Sequence, residues 1–86
     1  MIKHMTNLQT PSLQIREFLT REMGLDSSLA DEDPLFSSGL LDSIDLLSIL
    51  EFIESQWTVT FSAFDIGLED MDSIERIVRQ IQSRSR

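Results

Sequence analysis

Apolar packing alone has to hold this chain together. Its 86 residues contain no cysteine, so neither a disulfide nor a thiolate metal site is open to it. A domain of this length has a limited core and, without such staples, depends on regular, well-packed elements. Hydrophobic residues make up 41% of the sequence, enough to supply that core, while only three glycines and two prolines argue against a turn-rich β-sandwich. The expected solution is one small all-α domain.

Apolar spacing supports this. Thr10-Pro11 reads as a helix start, with Thr10 at the N-cap and Pro11 at the first helical position. Leu13, Ile15, Phe18, Leu19 and Met23 follow with helical spacing, and Gly24 is a natural stop. Residues 24–41 then form a long connection, a kind of segment that tends to be functional in so short a domain. Its apolar residues Leu25, Leu29, Leu35, Phe36, Leu40 and Leu41 predict a loop packed across the helices.

Asp42-Ser43-Ile44-Asp45 opens a second helix, with Asp42 placed to cap it and Asp45 adding a carboxylate to the first turn. This helix is predicted to reach Gln56 or Trp57. Leu46, Ile49, Leu50, Ile53 and Trp57 make the buried stripe, leaving Ile44 and Leu47 off it, near Ser43. Thr58-Val59-Thr60-Phe61 alternates like a strand but has no partner, so it reads as an extended connector. Residues 64–68 suggest a short helix or turn. Asp72-Ser73-Ile74-Glu75 repeats the cap pattern, with Asp72 as N-cap and Glu75 at N3, and Ile74, Ile77, Val78 and Ile81 supply the last stripe. Arg84 and Arg86 suit the negative end of that helix. The expected architecture is a small four-helix bundle, three main helices and one short one, with a long ordered loop between the first two. Residues 1–9 form a disordered tail, 10–83 the domain and 84–86 a C-terminal tail.

The formal charge is −8, and its distribution is sharper than its size: from Glu22 to Glu75 there are fourteen acids and no Lys or Arg. Such a surface repels nucleic acid phosphates and anionic headgroups and attracts basic protein surfaces. No apolar run is long enough to span a bilayer, and the N-terminus lacks the basic-then-apolar pattern of a secretion signal. The expectation is a cytoplasmic monomer that binds neither nucleic acid nor membrane.

The order of these features resembles the acyl and peptidyl carrier protein family. Gly39-Leu40-Leu41-Asp42-Ser43-Ile44 is similar to that family's Gly-x-Asp-Ser-Leu region. The first helix, Asp33-Pro34-Leu35-Phe36 in the loop, Trp57-Thr58-Val59-Thr60-Phe61 and Asp72-Ser73-Ile74 also fall in the family's order, over about residues 12–82. The resemblance implies a discrete carrier, not an enzyme, with a 4′-phosphopantetheine arm from coenzyme A attached to Ser43 by a phosphopantetheinyl transferase that uses Mg²⁺. The positive end of the helix would favour the new phosphate, Gly39 would allow a tight approach of loop to helix, and the arm would supply the thiol that a cysteine-free chain lacks. Asp42 would serve both as cap and in transferase recognition. Ile44, Asp45, Leu47, Ser48, Glu51 and Glu54 match or adjoin the positions that face partner enzymes: a loading enzyme for an acyl or aminoacyl group, then transferases, condensing or tailoring enzymes. The competing reading of Ile44 and Leu47 is that they belong to the core.

Ser48 stands where fatty-acid carriers often have Glu, and Leu46 and Phe52 are bulkier than usual there, which leaves less room for a long acyl chain. The sequence therefore looks more like free-standing carriers of amino acids, D-alanyl carriers included, or of unusual units in specialised biosynthesis. A fatty-acid-type carrier, an acidic helical interaction module with Ser43 never modified, and a structural bundle are the alternatives. Other chemistry lacks its parts: Asp31-Glu32-Asp33 has no calcium-loop glycine or final Glu, and His4 is the sole histidine, too few for a triad or a zinc site.

Overall fold

The structure, a computed structural model, describes residues 10–57, 59–61 and 66–84. Within them the protein is all-helical: α1 (Thr10–Met23), α2 (Ser43–Trp57), a 3₁₀ helix (Leu68–Met71) and α3 (Ile74–Arg84), with no strand among the described residues. The expected tail 1–9, Thr58, residues 62–65 and Arg86 lie outside the described residues. Of the short element expected at 64–68, residues 64–65 lie outside the described residues, and a 3₁₀ helix forms at Leu68–Met71. Its start is organised by Asp70, whose Oδ2 accepts the Gly67 N–H at 3.0 Å.

Each helix buries the stripe its spacing defines. Ile15 and Leu19 of α1, Leu46, Ile49, Leu50 and Ile53 of α2, and Ile74, Ile77 and Ile81 of α3 are buried, together with Met71. Val59, Phe61 and Ile66 extend the same core. Leu13 departs from the expected stripes and is exposed, while Phe18, Met23, Trp57 and Val78 are half-buried at their edges. α1 packs against α3, and the 3₁₀ helix against α3 and α2. Between α1 and α2 the Phe18 and Phe52 rings stack with centroids 4.3 Å apart, and Trp57 meets Phe52 edge-on at 5.9 Å. Such aromatic pairs add about 0.5–1.5 kcal/mol beyond their burial. Phe52 thus fills the α1 side of α2, and Leu46 the core.

The segment between α1 and α2 has no regular structure, yet it is packed. Gly24 ends α1 at φ +74°, and the Leu25 N–H bonds to the Leu19 carbonyl at 3.1 Å. Leu35 and Leu41 are fully inside, and Leu25, Leu29 and Phe36 are partly so. Leu40 is the exception, half exposed at 49%.

Polar contacts pin the loop at both ends. Near its start, the Arg16 guanidinium of α1 bonds to the Leu29 carbonyl and pairs with Asp31. Further on, Asp72 Oδ1 accepts three successive backbone N–H groups, from Leu35 (3.1 Å), Phe36 (2.6 Å) and Ser37 (3.0 Å), while Oδ2 takes the Ser37 hydroxyl at 2.7 Å. The Asp72 carbonyl also receives the Leu35 N–H at 2.8 Å, and the Asp31 carbonyl receives the Glu75 N–H at 3.0 Å.

These contacts correct the reading of Asp72 as N-cap of the last helix. The cap is Ser73, whose Oγ accepts the Arg76 N–H at 3.1 Å, and Glu75 lies 3.6 Å from Arg79 across one turn. The local pattern misplaced the cap by one residue: Asp72 turns its carboxylate onto the loop, where it is the acceptor for the Phe36 and Ser37 N–H groups and shares the Leu35 N–H with the Asp72 carbonyl.

Candidate functional site

Ser43 is the first residue of α2 and is exposed. The residue before it does the capping: Asp42 Oδ1 accepts the Ile44 N–H at 3.0 Å and the Asp45 N–H at 3.1 Å. Asp45 reaches back, its Oδ2 accepting the Asp42 N–H at 3.0 Å. This reciprocal box satisfies donors at the helix start without using the Ser43 hydroxyl. It also changes the electrostatics expected of the site. Two carboxylates already sit at the positive end of α2, and Asp42 takes two of its N–H groups, so a phosphate on Ser43 would share that end with them.

The approach to Ser43 is shaped by Gly39, at φ +90°. A Cβ placed there would meet nothing within 4 Å. The expected reason for this glycine, a tight approach of loop to helix, is therefore replaced by a conformational one: only glycine takes that φ without strain. The turn closes with the Gly39 N–H on the Phe36 carbonyl at 3.1 Å and the Leu41 N–H on the Leu35 carbonyl at 2.9 Å. Leu41 then anchors the chain in the core one residue before the cap.

Along α2, Ile44 is 71% exposed and Leu47 57%. Both stand off the core, which excludes the reading that assigned them to it. With Leu40, half exposed three residues before Ser43, they are the exposed apolar residues that flank Ser43 along the chain, here called the ridge. Glu51 is exposed on the same helix, and Asp45 and Ser48 are half-buried. Glu54 is set apart from this group by a structural duty: its Oε2 accepts the Phe61 N–H at 2.9 Å and ties the connector to α2.

Two carboxylates have shifted proton affinities. Partial burial works to raise that of Asp72, but the hydrogen bonds from Ser37, Phe36 and Leu35 outweigh it and hold the carboxyl below its ordinary value. Asp26 is lowered by its bonds to the backbone and hydroxyl of Ser28. Neither is part of the ridge.

The sequence reading gave Arg16 no role and gave Asp72 a different one. For Arg16, its place beside the buried Ile15 is the only signal the sequence carries. Among the described residues no helix is long and apolar enough to cross a membrane, and no group of three His, Cys, Asp or Glu side chains is gathered as a metal ion requires. Comparison of the chain with protein-family models and with curated proteins returned no match.

Proposed function

We propose that the protein is a carrier: it holds an acyl or aminoacyl group as a thioester on a 4′-phosphopantetheine arm at Ser43 and presents it to partner enzymes. One observation carries the reading. Ser43 opens α2 exposed while Asp42 and Asp45 cap the helix, so the serine hydroxyl stands at an ordered position without a structural task. The similarity of residues 39–44 to the carrier motif, and a short 3₁₀ helix that makes a fourth element beside three main helices, support it.

In the loading step Ser43 Oγ bonds to the β-phosphorus of coenzyme A. The bond from that phosphorus to its bridging oxygen breaks and adenosine 3′,5′-bisphosphate leaves. The hydroxyl proton passes to the transferase. The arm, once attached, supplies a terminal thiol on which carboxylic acids are held in activated form. The chain's own residues fit this use. Gly39 and the buried Leu41 bring the loop to the helix start, the cap holds the turn that carries Ser43, and Ser43 is exposed. The apolar ridge of Leu40, Ile44 and Leu47 offers a partner contact area. The acids around it favour partners with basic surfaces. The cargo class proposed is an aminoacyl or other short unit in specialised biosynthesis, and the site of action cytoplasmic.

Incubation with a broad-specificity phosphopantetheinyl transferase, Mg²⁺ and coenzyme A should add one phosphopantetheine mass to the intact protein, and Ser43→Ala should abolish the addition. An unchanged wild-type mass beside a control carrier that is modified would leave the unmodified acidic module as the better reading.

A further inference from the structure

We infer that Asp72 is a positioning residue for Ser43, acting across the fold on the loop that delivers the serine; the inference rests on the carrier reading. The argument is a continuous series of bonds. The Asp72 carboxylate gathers the N–H groups of Leu35, Phe36 and Ser37 and the Ser37 hydroxyl. The carbonyls of two of those same residues then hold the next turn: Phe36 takes the Gly39 N–H, and Leu35 takes the Leu41 N–H. Leu35 and Leu41 are both buried, and the chain passes from Leu41 into the cap at Asp42 and so to Ser43. The steps after Asp72 join backbone atoms only, and the Asp72 carboxylate is itself held by four bonds, so the series leaves little slack.

Asp72 is the only side chain among the described residues that accepts bonds from three successive loop amides, and it comes from the segment joining the 3₁₀ helix to α3. The helix it precedes does not need it, since Ser73 supplies that cap. A carboxylate is the fitting group. One oxygen can receive several converging N–H donors, and a charged acceptor strengthens each bond. An asparagine loses the charge in either orientation, and its amide NH₂ would face either the Ser37 hydroxyl that now donates or the backbone N–H cluster. The loop would then populate conformations in which the turn at 39–41 is open, and the fraction of molecules presenting Ser43 to the transferase would fall. Apparent affinity falls by that same fraction.

The test is steady-state kinetics of phosphopantetheine transfer, with carrier concentration varied, for wild type, Asp72→Asn and Ser73→Ala. Asp72→Asn should raise KM for the carrier about threefold or more with kcat little changed. Ser73→Ala loosens the start of α3 without touching the 35–37 amides and should leave KM at its wild-type value. Equal KM for Asp72→Asn and wild type would overturn the inference, as would a KM increase of the same size in Ser73→Ala. A second measurement needs no transferase. Amide hydrogen exchange at Leu35, Gly39 and Leu41 should quicken in Asp72→Asn while Ile49 and Ile53 of α2 keep their protection, and the Ser43 amide resonance should shift. Unchanged exchange at Gly39 and Leu41 sinks the proposal. If the wild-type protein accepts no arm, the carrier reading fails by that result, and the exchange data still decide whether Asp72 orders the approach to Ser43.

Discussion

Single residues in this protein have effects larger than their size where they control backbone conformation. Asp42 is one. Its carboxylate takes two N–H groups of the first turn of α2, and loss of such a cap costs about 0.5–2 kcal/mol. Asp42→Ala should lower the urea midpoint accordingly. Gly39 is another. At φ +90° an alanine is strained by about 1–2 kcal/mol even though its Cβ has open space, so Gly39→Ala should destabilise without any clash in the core, as read by chemical denaturation. Asp72 adds a pH dependence. Its carboxyl is held below the ordinary value, so the unfolded chain binds the proton more readily. The stability it contributes is complete above the unfolded carboxylate value, about 3.9, and is lost as pH falls through the lower folded value. The acid limb of the stability curve should therefore be shallower in Asp72→Asn than in wild type. Parallel acid limbs would show that the loop bonds contribute nothing to folding.

At the scale of an element, α2 carries two faces with opposite requirements. Ile49 and Ile53 are fully buried, and truncation of either to alanine should cost about 2–5 kcal/mol through lost transfer energy and the cavity left behind. Ile44, one turn before Ile49's face begins, is 71% exposed. Ile44→Arg should leave the thermal midpoint and helical circular dichroism unchanged, since exposed substitutions cost about 0.5 kcal/mol or less, while impairing transfer to partner enzymes. Loss of helical signal in that variant would mean the ridge is part of the core. This division was legible in advance, because 3.6-residue spacing assigns Leu46, Ile49, Leu50 and Ile53 to one side and leaves Ile44 and Leu47 on another. Leu13 and Leu40 were not separated from their buried neighbours in the same way. Leu40 lies in a loop with no period to place it, whereas Leu13, two residues before the buried Ile15, falls on the other side of α1 and belongs off the stripe.

For the whole molecule, charge is the dominant feature. The net charge of −8 comes from an acidic block that spans the loop, α2 and the 3₁₀ helix, while Arg76 and Arg79 lie on α3. Encounter with a basic partner is then steered by the field, and the rate should fall steeply as ionic strength rises and the Debye length shrinks to about 10 Å at 0.1 M salt. Stopped-flow association measured from low to high salt would show this. A rate independent of salt would remove the role assigned to the acidic surface. The same charge pattern makes Arg16 conspicuous. It reaches into the block from α1, and its contacts with Leu29 and Asp31 fix the loop against that helix, as the bond from Arg76 to the Glu69 carbonyl does from α3.

The sequence by itself determined the helices, the faces they bury, the capped helix start at Ser43 and the acidic surface. All of these depend on residues within a turn or two of one another, where period, caps and breakers act locally. Only the tertiary structure decided what Asp72, Arg16 and Glu54 do. Asp72 reads locally as a helix cap, and became the anchor of a loop 35 to 37 positions earlier because the fold brings the amides of Leu35, Phe36 and Ser37 to its carboxylate. A polar side chain binds whichever donors the packing leaves unsatisfied, and that is not known until the helices have met.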